Sequence, residues 1–128
     1  MTPPEREPSL RTLAMPADAN PSGDIFGGWI MAQMDIAGGT FATDIARGRV
    51  ATVAVDSMAF HLPVYVGDLV SCYCGLERIG NSSLTIRIET WVRRTITRQQ
   101  EKVTEALFTF VALDESGKPR QVPKPDAE

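Results

Sequence analysis

The segment from Gly27 to Arg47 is the one long stretch in which apolar residues recur with the period of an α-helix. At 100° per residue these positions fall within an arc of about 120°. The arc contains Ile30, Met31, Met34, Gly38, Phe41, Ala42 and Ile45. Asp35 lies on its shoulder, and Gly48 is placed to end the helix. An apolar face this broad requires a large partner, which favours a helix wrapped by a sheet.

The other segments follow the two-residue period of β-strands and are rich in Val, Ile, Thr and aromatic residues. A short strand is expected within 9–15, and four long strands are expected at 50–62, 69–79, 83–96 and 102–113. Short turns containing glycine, asparagine or aspartate connect them. One long helix and a run of antiparallel strands predict the α+β class, with the helix across the concave face of the sheet.

The length and charge of the chain restrict its domain count and its partners. Its 128 residues suit one domain, which we expect to span 9–117, with flexible tails at 1–8 and 118–128. The net charge of −3 argues against binding to nucleic acid or to an anionic membrane. There is no long apolar run and no apolar centre of a signal peptide, so we expect a cytoplasmic protein.

The residue types that usually hold metals or carry redox chemistry are few. Cys72 and Cys74 are two apart in a predicted strand and point to one face, which does not suit a disulfide. His61 is the only histidine, it precedes a proline, and no Ser–Asp pair stands at triad spacing from it. We therefore expect no metal site and no cofactor, and we interpret these three residues as structural.

The stretch from Asn20 to Asp35 contains the residues best suited to catalysis. A helix that starts at Gly27 and Gly28 exposes backbone N–H groups with partial positive charge, and glycine lets a ligand oxygen approach them. Asp35, two turns into the helix, could act as a base or a nucleophile, and Asn20 could hold a water or a carbonyl. The residues alone leave open that the glycines serve close packing and that Asp35 is merely solvated.

The spacing of Asn20, Gly23, Gly27, Gly28 and Asp35 resembles that of the hot-dog-fold acyl-CoA thioester hydrolases of the bacterial YciA type. The resemblance runs from Leu10 to about Pro123. It continues through 48–58, the turn at 66–68, the turn at 80–83 and the strand at 106–112.

The resemblance implies a hot-dog fold and the hydrolysis of fatty or short-chain acyl-CoA to free acid and coenzyme A. Asp35 matches the catalytic acid, which activates water or attacks the thioester. Asn20 matches the asparagine that positions water or substrate beside the Asp of a neighbouring subunit. Gly27 and Gly28 match the amides that polarise the thioester carbonyl.

The turn formed by Gly80, Asn81, Ser82 and Ser83 looks like the coenzyme A-binding turn of this family, in which a basic residue often stands where this chain has Asn81. The resemblance also implies a homodimer or a larger homo-oligomer, either a dimer of dimers or a trimer of dimers. The helical rise also favours a second chain. Gly27 and Asp35 are roughly 12 Å apart along one helix. Asn20 and Asp35 of one chain are therefore too far apart to contact the same small reacting group, unless the loop folds back over the helix. A non-catalytic acyl-CoA-binding module remains the alternative.

Overall fold

The computed structural model describes residues 1–124, in which one helix lies against one face of a five-stranded antiparallel sheet. The elements are β1 (Leu10–Leu13), α1 (Gly27–Ala46), β2 (Val50–Phe60), β3 (Leu69–Ile79), β4 (Ser83–Arg93) and β5 (Gln100–Ala112). A single 3₁₀ turn at Pro16–Asp18 follows β1. The strand order β1-β3-β4-β5-β2 places β2 at an edge of the sheet. The predicted α+β class is confirmed.

The helix buries most of the predicted arc and extends it on both sides. Its buried residues are Ile30, Met34, Ala37, Gly38, Ala42 and Ala46. Phe41 and Ile45 are only half-buried, and Met31 is 39% exposed. On the same helical wheel Ala37 and Ala46 lie about 20° and about 40° beyond the two edges of the predicted arc, so the prediction was too narrow.

Gly38 allows the helix to approach the sheet closely. A Cβ atom at this position would lie 2.6 Å from Ile88 Cδ1 and 2.9 Å from Phe110 Cζ. Both neighbours are fully buried, so neither can move aside without disturbing the core. The central glycine therefore has a packing role, in contrast to the glycines at the start of the helix.

The helix ends one residue earlier than the position of Gly48 suggested. Arg47 takes the left-handed conformation (φ 55°), and its N–H donates to Thr43 O at 2.8 Å. A Cβ at Gly48 would lie 2.7 Å from the guanidinium of Arg120, which donates to Ala46 O. Gly48 is thus needed for the close approach of Arg120, and Arg47 provides the turn.

Two bulges in β2 decide which of its side chains face the helix. The pairing with β5 shifts register after Thr52 and again after Asp56. Strict alternation from Thr52 would place Asp56 on the helix side. Instead, Val55 lines a cavity beside the helix and Asp56 is exposed. Ser57 (φ 57°) lies in the second bulge.

The packed region extends into both segments that the sequence assigned to tails. Arg6 Nε donates to Cys74 O at 3.2 Å. At the other end, Val122 is 1% exposed and its N–H donates to Asn81 O at 2.9 Å. The segment around Val122 therefore packs on the turn that joins β3 and β4.

Arg94 falls within the strand predicted at 83–96 but lies outside β4 in the structure. The strand β4 ends one residue before it, and its side chain is only 14% exposed. Its guanidinium forms ion pairs with Asp68 and Glu101, at 2.5 and 2.8 Å, and donates to Pro63 O. It also lies 5.1 Å from the centre of the Tyr65 ring. These contacts hold the β4–β5 hairpin against the loop before β3.

Candidate active site

Asn20 is held in place by the loop that precedes the helix. Its side-chain oxygen accepts hydrogen bonds from the backbone N–H groups of Ser22 and Asp24, at 2.9 and 3.1 Å. The loop closes through Gly23, whose φ of 90° suits glycine and whose N–H donates to Asn20 O. Because the side-chain oxygen is used in the loop, the Nδ2 amino group is the part of Asn20 left to donate to a ligand.

The start of the helix exposes two backbone donors. Phe26 is the N-cap and provides no side-chain hydrogen bond, while the amides of Trp29 and Ile30 donate to Phe26 O. Within residues 1–124, neither the Gly27 nor the Gly28 amide donates a hydrogen bond to another group of the chain. These amides carry the partial positive charge of the helix N-terminus.

Packing within the chain does not require glycine at position 28. A Cβ atom there would meet nothing within 4 Å, whereas a Cβ at Gly27 would touch the Phe60 ring at an ordinary 3.4 Å. The packing interpretation therefore fails for Gly28 within one chain. An oxygen atom of a ligand or a second chain could reach this amide.

Asp35 is half-buried two turns into the helix, and its carboxylate accepts a short hydrogen bond from the Thr52 hydroxyl. Thr52 is not among the residues predicted from the sequence. A signal was present, because Thr52 lies two residues after Val50 and so shares the face of β2 that turns toward the helix. A hydroxyl on that face, in register with a helix carboxylate, orients the carboxylate through a hydrogen bond.

The predicted catalytic residues fall into two groups that line separate cavities. Asn20 and Gly27 line a cavity of about 380 Å³, together with Phe60 and His61. Gly28 and Asp35 line another of about 260 Å³, together with Thr52 and Val55. No cavity described for residues 1–124 contains both Asn20 and Asp35. Gly27 lines the first cavity and the adjacent Gly28 lines the second. Each cavity therefore contains only part of the set of groups proposed for the reaction.

The turn at Gly80–Ser83 is apart from both cavities. Its backbone groups already form hydrogen bonds within the chain. Gly80 N–H donates to Ser83 O at 2.8 Å, and Ser82 O accepts from Ala112 N–H. The strand β5 separates it from β2, which places Ser83 about 10 Å from that strand. The structure does not bring this turn together with Asp35 or Asn20 in one chain, and the side chain of Asn81 is exposed.

The cysteines take no part in either cavity. Burial raises the pKa of the Cys72 thiol to about 11, against a smaller opposing effect of its contact with Thr90. Burial also raises the pKa of Cys74. Both thiols therefore stay protonated near neutral pH and are poor nucleophiles.

Neither a metal-binding cluster nor a membrane-spanning helix is found in the part of the chain that the structure describes. No group of three or more His, Cys, Asp or Glu side chains is arranged to hold a metal ion there. No helix in residues 1–124 has the length and apolar character needed to cross a bilayer.

Comparisons with known proteins agree with this geometry. The model of the thioesterase superfamily matches residues 22–97, more than half of the chain. The acyl-CoA thioester hydrolase YciA of Salmonella typhimurium is 54% identical over 123 residues, which cover 94% of this chain and 92% of that protein.

Two solved structures show the same fold. The hexameric thioesterase y2039 of Yersinia pestis has a TM-score of 0.90 and 56% identity, covering 95% of this chain and 99% of that one. A hexameric hot-dog-fold thioesterase of Campylobacter jejuni has a TM-score of 0.88 and 38% identity, covering 92% and 91%. The expected family and fold are confirmed: this chain belongs to the thioesterase superfamily and has the hot-dog fold.

Proposed function

We propose that this protein hydrolyses acyl-CoA thioesters to a free acid and coenzyme A. The observation that carries the proposal is the pair of open amides at Gly27 and Gly28, with Asp35 on one side and Asn20 on the other. The similarity to relatives named acyl-CoA thioester hydrolases supports this substrate class. The cytoplasm remains the expected location, since two free cysteines suit a reducing compartment.

The chemistry follows from the groups in the two cavities. The helix-start amides polarise the thioester carbonyl and stabilise the negative charge that develops on its oxygen. The Asp35 carboxylate either takes a proton from the attacking water or attacks the carbonyl carbon itself. The C–S bond then breaks. In the first route the sulfur of coenzyme A leaves with the proton that Asp35 took from the water. In the second route the sulfur leaves as a thiolate, and a water molecule then hydrolyses the anhydride between Asp35 and the acyl group to give the free acid. Asn20 donates through Nδ2 to the water or to the substrate carbonyl.

The separation of the two cavities supports a site shared between chains. A second copy related by a two-fold axis can bring the Asn20 and Gly27 of one chain over the Asp35 and Gly28 of the other. The arrangement repeats at the second site, so each dimer has two equal sites. Relatives that form hexamers favour a trimer of dimers over a dimer of dimers.

We retain the turn at Gly80, Asn81, Ser82 and Ser83 as the proposed contact for the nucleotide part of coenzyme A. Its backbone is fixed by hydrogen bonds to β5 and to the segment around Val122, which makes it a rigid surface. The exposed amide of Asn81 would have to act where relatives in the family often use a basic side chain, so a neutral hydrogen bond would replace an ion pair.

The function is tested by measuring thiol release from a series of acyl-CoA substrates, from acetyl-CoA to palmitoyl-CoA, with the purified wild-type chain. We expect turnover with at least part of the series. Binding of acyl-CoA without thiol release would instead support the non-catalytic binding module.

We expect the substitution Gly28→Val to lower kcat by about a hundredfold to a thousandfold, because a branched side chain would crowd the oxygen that this amide polarises. Thermal unfolding should change little, since a Cβ at this position meets nothing within 4 Å in the chain. The smaller variant Gly28→Ala should have an intermediate kcat. Wild-type kcat in a correctly assembled Gly28→Val protein would rule out this role for the amide.

The substitution Thr52→Val should lower kcat roughly ten- to a hundredfold, since a hydrogen bond to a charged group contributes about 1.5–3 kcal/mol. Valine keeps the shape of threonine but cannot donate to Asp35. The matched variant Thr52→Ser retains the hydroxyl and should keep most of the activity. If the valine and serine variants have the same kcat, the hydrogen bond seen between Thr52 and Asp35 does not assist the reaction.

A further inference from the structure

The cavity beside Asp35 has an apolar part that the proposed mechanism does not use. Its polar groups are the Gly28 amide and the side chains of Asp35 and Thr52. The other four residues that line it have apolar side chains: Met31, Ala32, Val55 and Phe108. A substrate whose carbonyl is held by the polar groups would therefore place one of its substituents against an apolar surface.

This apolar part is formed by one side of the helix and one face of the sheet. Gly28, Met31 and Asp35 follow one another at spacings of three and four residues, so they lie on the same side of α1. Val55 comes from β2 and is directly opposite Phe108 in the pairing of β2 with β5. The cavity thus lies between the catalytic side of the helix and this cross-strand pair.

The sheet side of the cavity is rigid. Phe108 is 1% exposed, and its ring stacks on the Phe110 ring with 6.3 Å between the centroids. Phe110 cannot recede, because the helix lies close to it at Gly38. Val55 is β-branched, which restricts its side chain to few rotamers. A group that enters the cavity therefore meets a wall in a fixed position.

The polarity of the two cavities decides which substituent of the thioester enters each. The coenzyme A arm contains amide and phosphate groups, which need hydrogen-bond partners when they are buried. The side chains of Val55 and Phe108 provide none. The cavity around Asn20 is also lined by Asp24 and by the exposed His61, which can provide them. The acyl chain therefore suits the cavity beside Asp35, and the coenzyme A arm suits the other.

The size of the cavity beside Asp35 limits the acyl chain. Its volume of about 260 Å³ is below the roughly 300–1,000 Å³ that is usual for small-molecule pockets. A rigid apolar pocket discriminates by size, since one methylene group changes kcat/KM by about 10- to 200-fold.

We propose that the acyl chain of the substrate occupies the apolar part of this cavity and that Val55, packed against Phe108, sets the longest chain that it accommodates. The preferred substrates are therefore short-chain acyl-CoA thioesters. This assignment rests on the proposed function, but its main test measures binding and needs no turnover.

The test measures the affinity of S-alkyl-coenzyme A thioethers, from ethyl to dodecyl, by isothermal titration calorimetry. These compounds have no thioester carbonyl and cannot be hydrolysed. In the wild type each added methylene should tighten binding about fourfold until the chain reaches the wall, and further methylenes should not. Val55→Ala should move this limit to a longer chain, and Val55→Phe should move it to a shorter one.

Turnover should follow the same order. We expect the wild type to have a higher kcat/KM for butyryl-CoA than for palmitoyl-CoA, and Val55→Ala should reduce this ratio about tenfold or more. A general loss of stability would lower both values together and leave the ratio unchanged.

The matched control is Val53→Ala, on the same strand. Val53 is 58% exposed and lines none of the cavities described for residues 1–124, so the wild-type limit should be kept. Phe108→Leu changes the other half of the wall and should also lengthen the limit, and thermal unfolding checks that each variant is folded.

An unchanged limit in folded Val55→Ala and Phe108→Leu would overturn the proposal, as would a wild-type affinity that does not depend on alkyl length. Chain-length-dependent binding by a wild type that releases no thiol from acyl-CoA would contradict the proposed function and leave the acyl site supported.

Discussion

Replacing Asp35 with alanine is expected to lower kcat for acyl-CoA hydrolysis by about a hundredfold to ten-thousandfold, the usual contribution of a general base. Asp35 is the carboxylate that shares a cavity with the open amide of Gly28, and its hydrogen bond comes from the side chain of Thr52. It forms no ion pair in residues 1–124, so its removal should leave folding intact. Steady-state thiol release and thermal unfolding measure the two effects separately.

The same helix offers a matched control for this substitution. Asp44 is exposed, and it borders a shallow depression that Asp35 also borders on the side away from Gly28. Asp44→Ala removes the same charge and should keep kcat near the wild-type value. The variant Asp35→Asn keeps the shape of the side chain and should be as inactive as Asp35→Ala. Wild-type turnover by folded Asp35→Ala would exclude the residue as base and as nucleophile.

Mixing two inactive variants should restore activity to about a quarter of the wild-type level. Chains with Asn20→Ala and chains with Asp35→Ala, unfolded together in equal amounts and refolded, form mixed dimers in about half of the cases. In a mixed dimer one of the two symmetric sites contains both substitutions and the other contains neither. This result depends on the division of Asn20 and Asp35 between two cavities.

The control is each variant refolded alone, which should remain inactive. Native mass spectrometry, with one chain carrying a mass label, confirms that the chains have exchanged. If exchange is complete and the mixture stays inactive, Asn20 and Asp35 serve a site within one chain. That outcome would remove the reason for a shared site but would leave the roles of the individual residues open to the single-variant measurements.

Local features of the sequence predicted most of the secondary structure. The helix begins at Gly27 as expected, because glycine-rich turn sequence passes there into a helical apolar period. The strands at Leu69–Ile79 and Ser83–Arg93 begin where their two-residue alternation begins. Errors lie at element ends, where contacts from distant residues decide the outcome. The strand β4 ends before Arg94, whose side chain pairs with Asp68, 26 residues away in the sequence.

The candidate catalytic residues could be identified before the structure, but their grouping could not. Asn20, Gly27, Gly28 and Asp35 are close in sequence, and their residue types suit carbonyl chemistry. Thr52 was missed because its importance comes from a single contact across the helix–sheet interface. The position of that contact depends on the register in which β2 pairs with β5, and a local sequence pattern does not predict this register.

The sequence by itself determined the class of the fold, since a helical period in one segment and strand alternation elsewhere permit few other arrangements. It also determined which groups are available for chemistry. Tertiary structure alone decided that Val55 rather than Asp56 faces the helix, that Arg94 is buried in an ion-pair cluster, and that Val122 packs on the turn at Asn81. It also decided that Asn20 and Asp35 line separate cavities. The physical reason is that periodicity reports the surroundings of a residue only along its own element, whereas bulges, buried charges and cavities arise where elements distant in sequence meet.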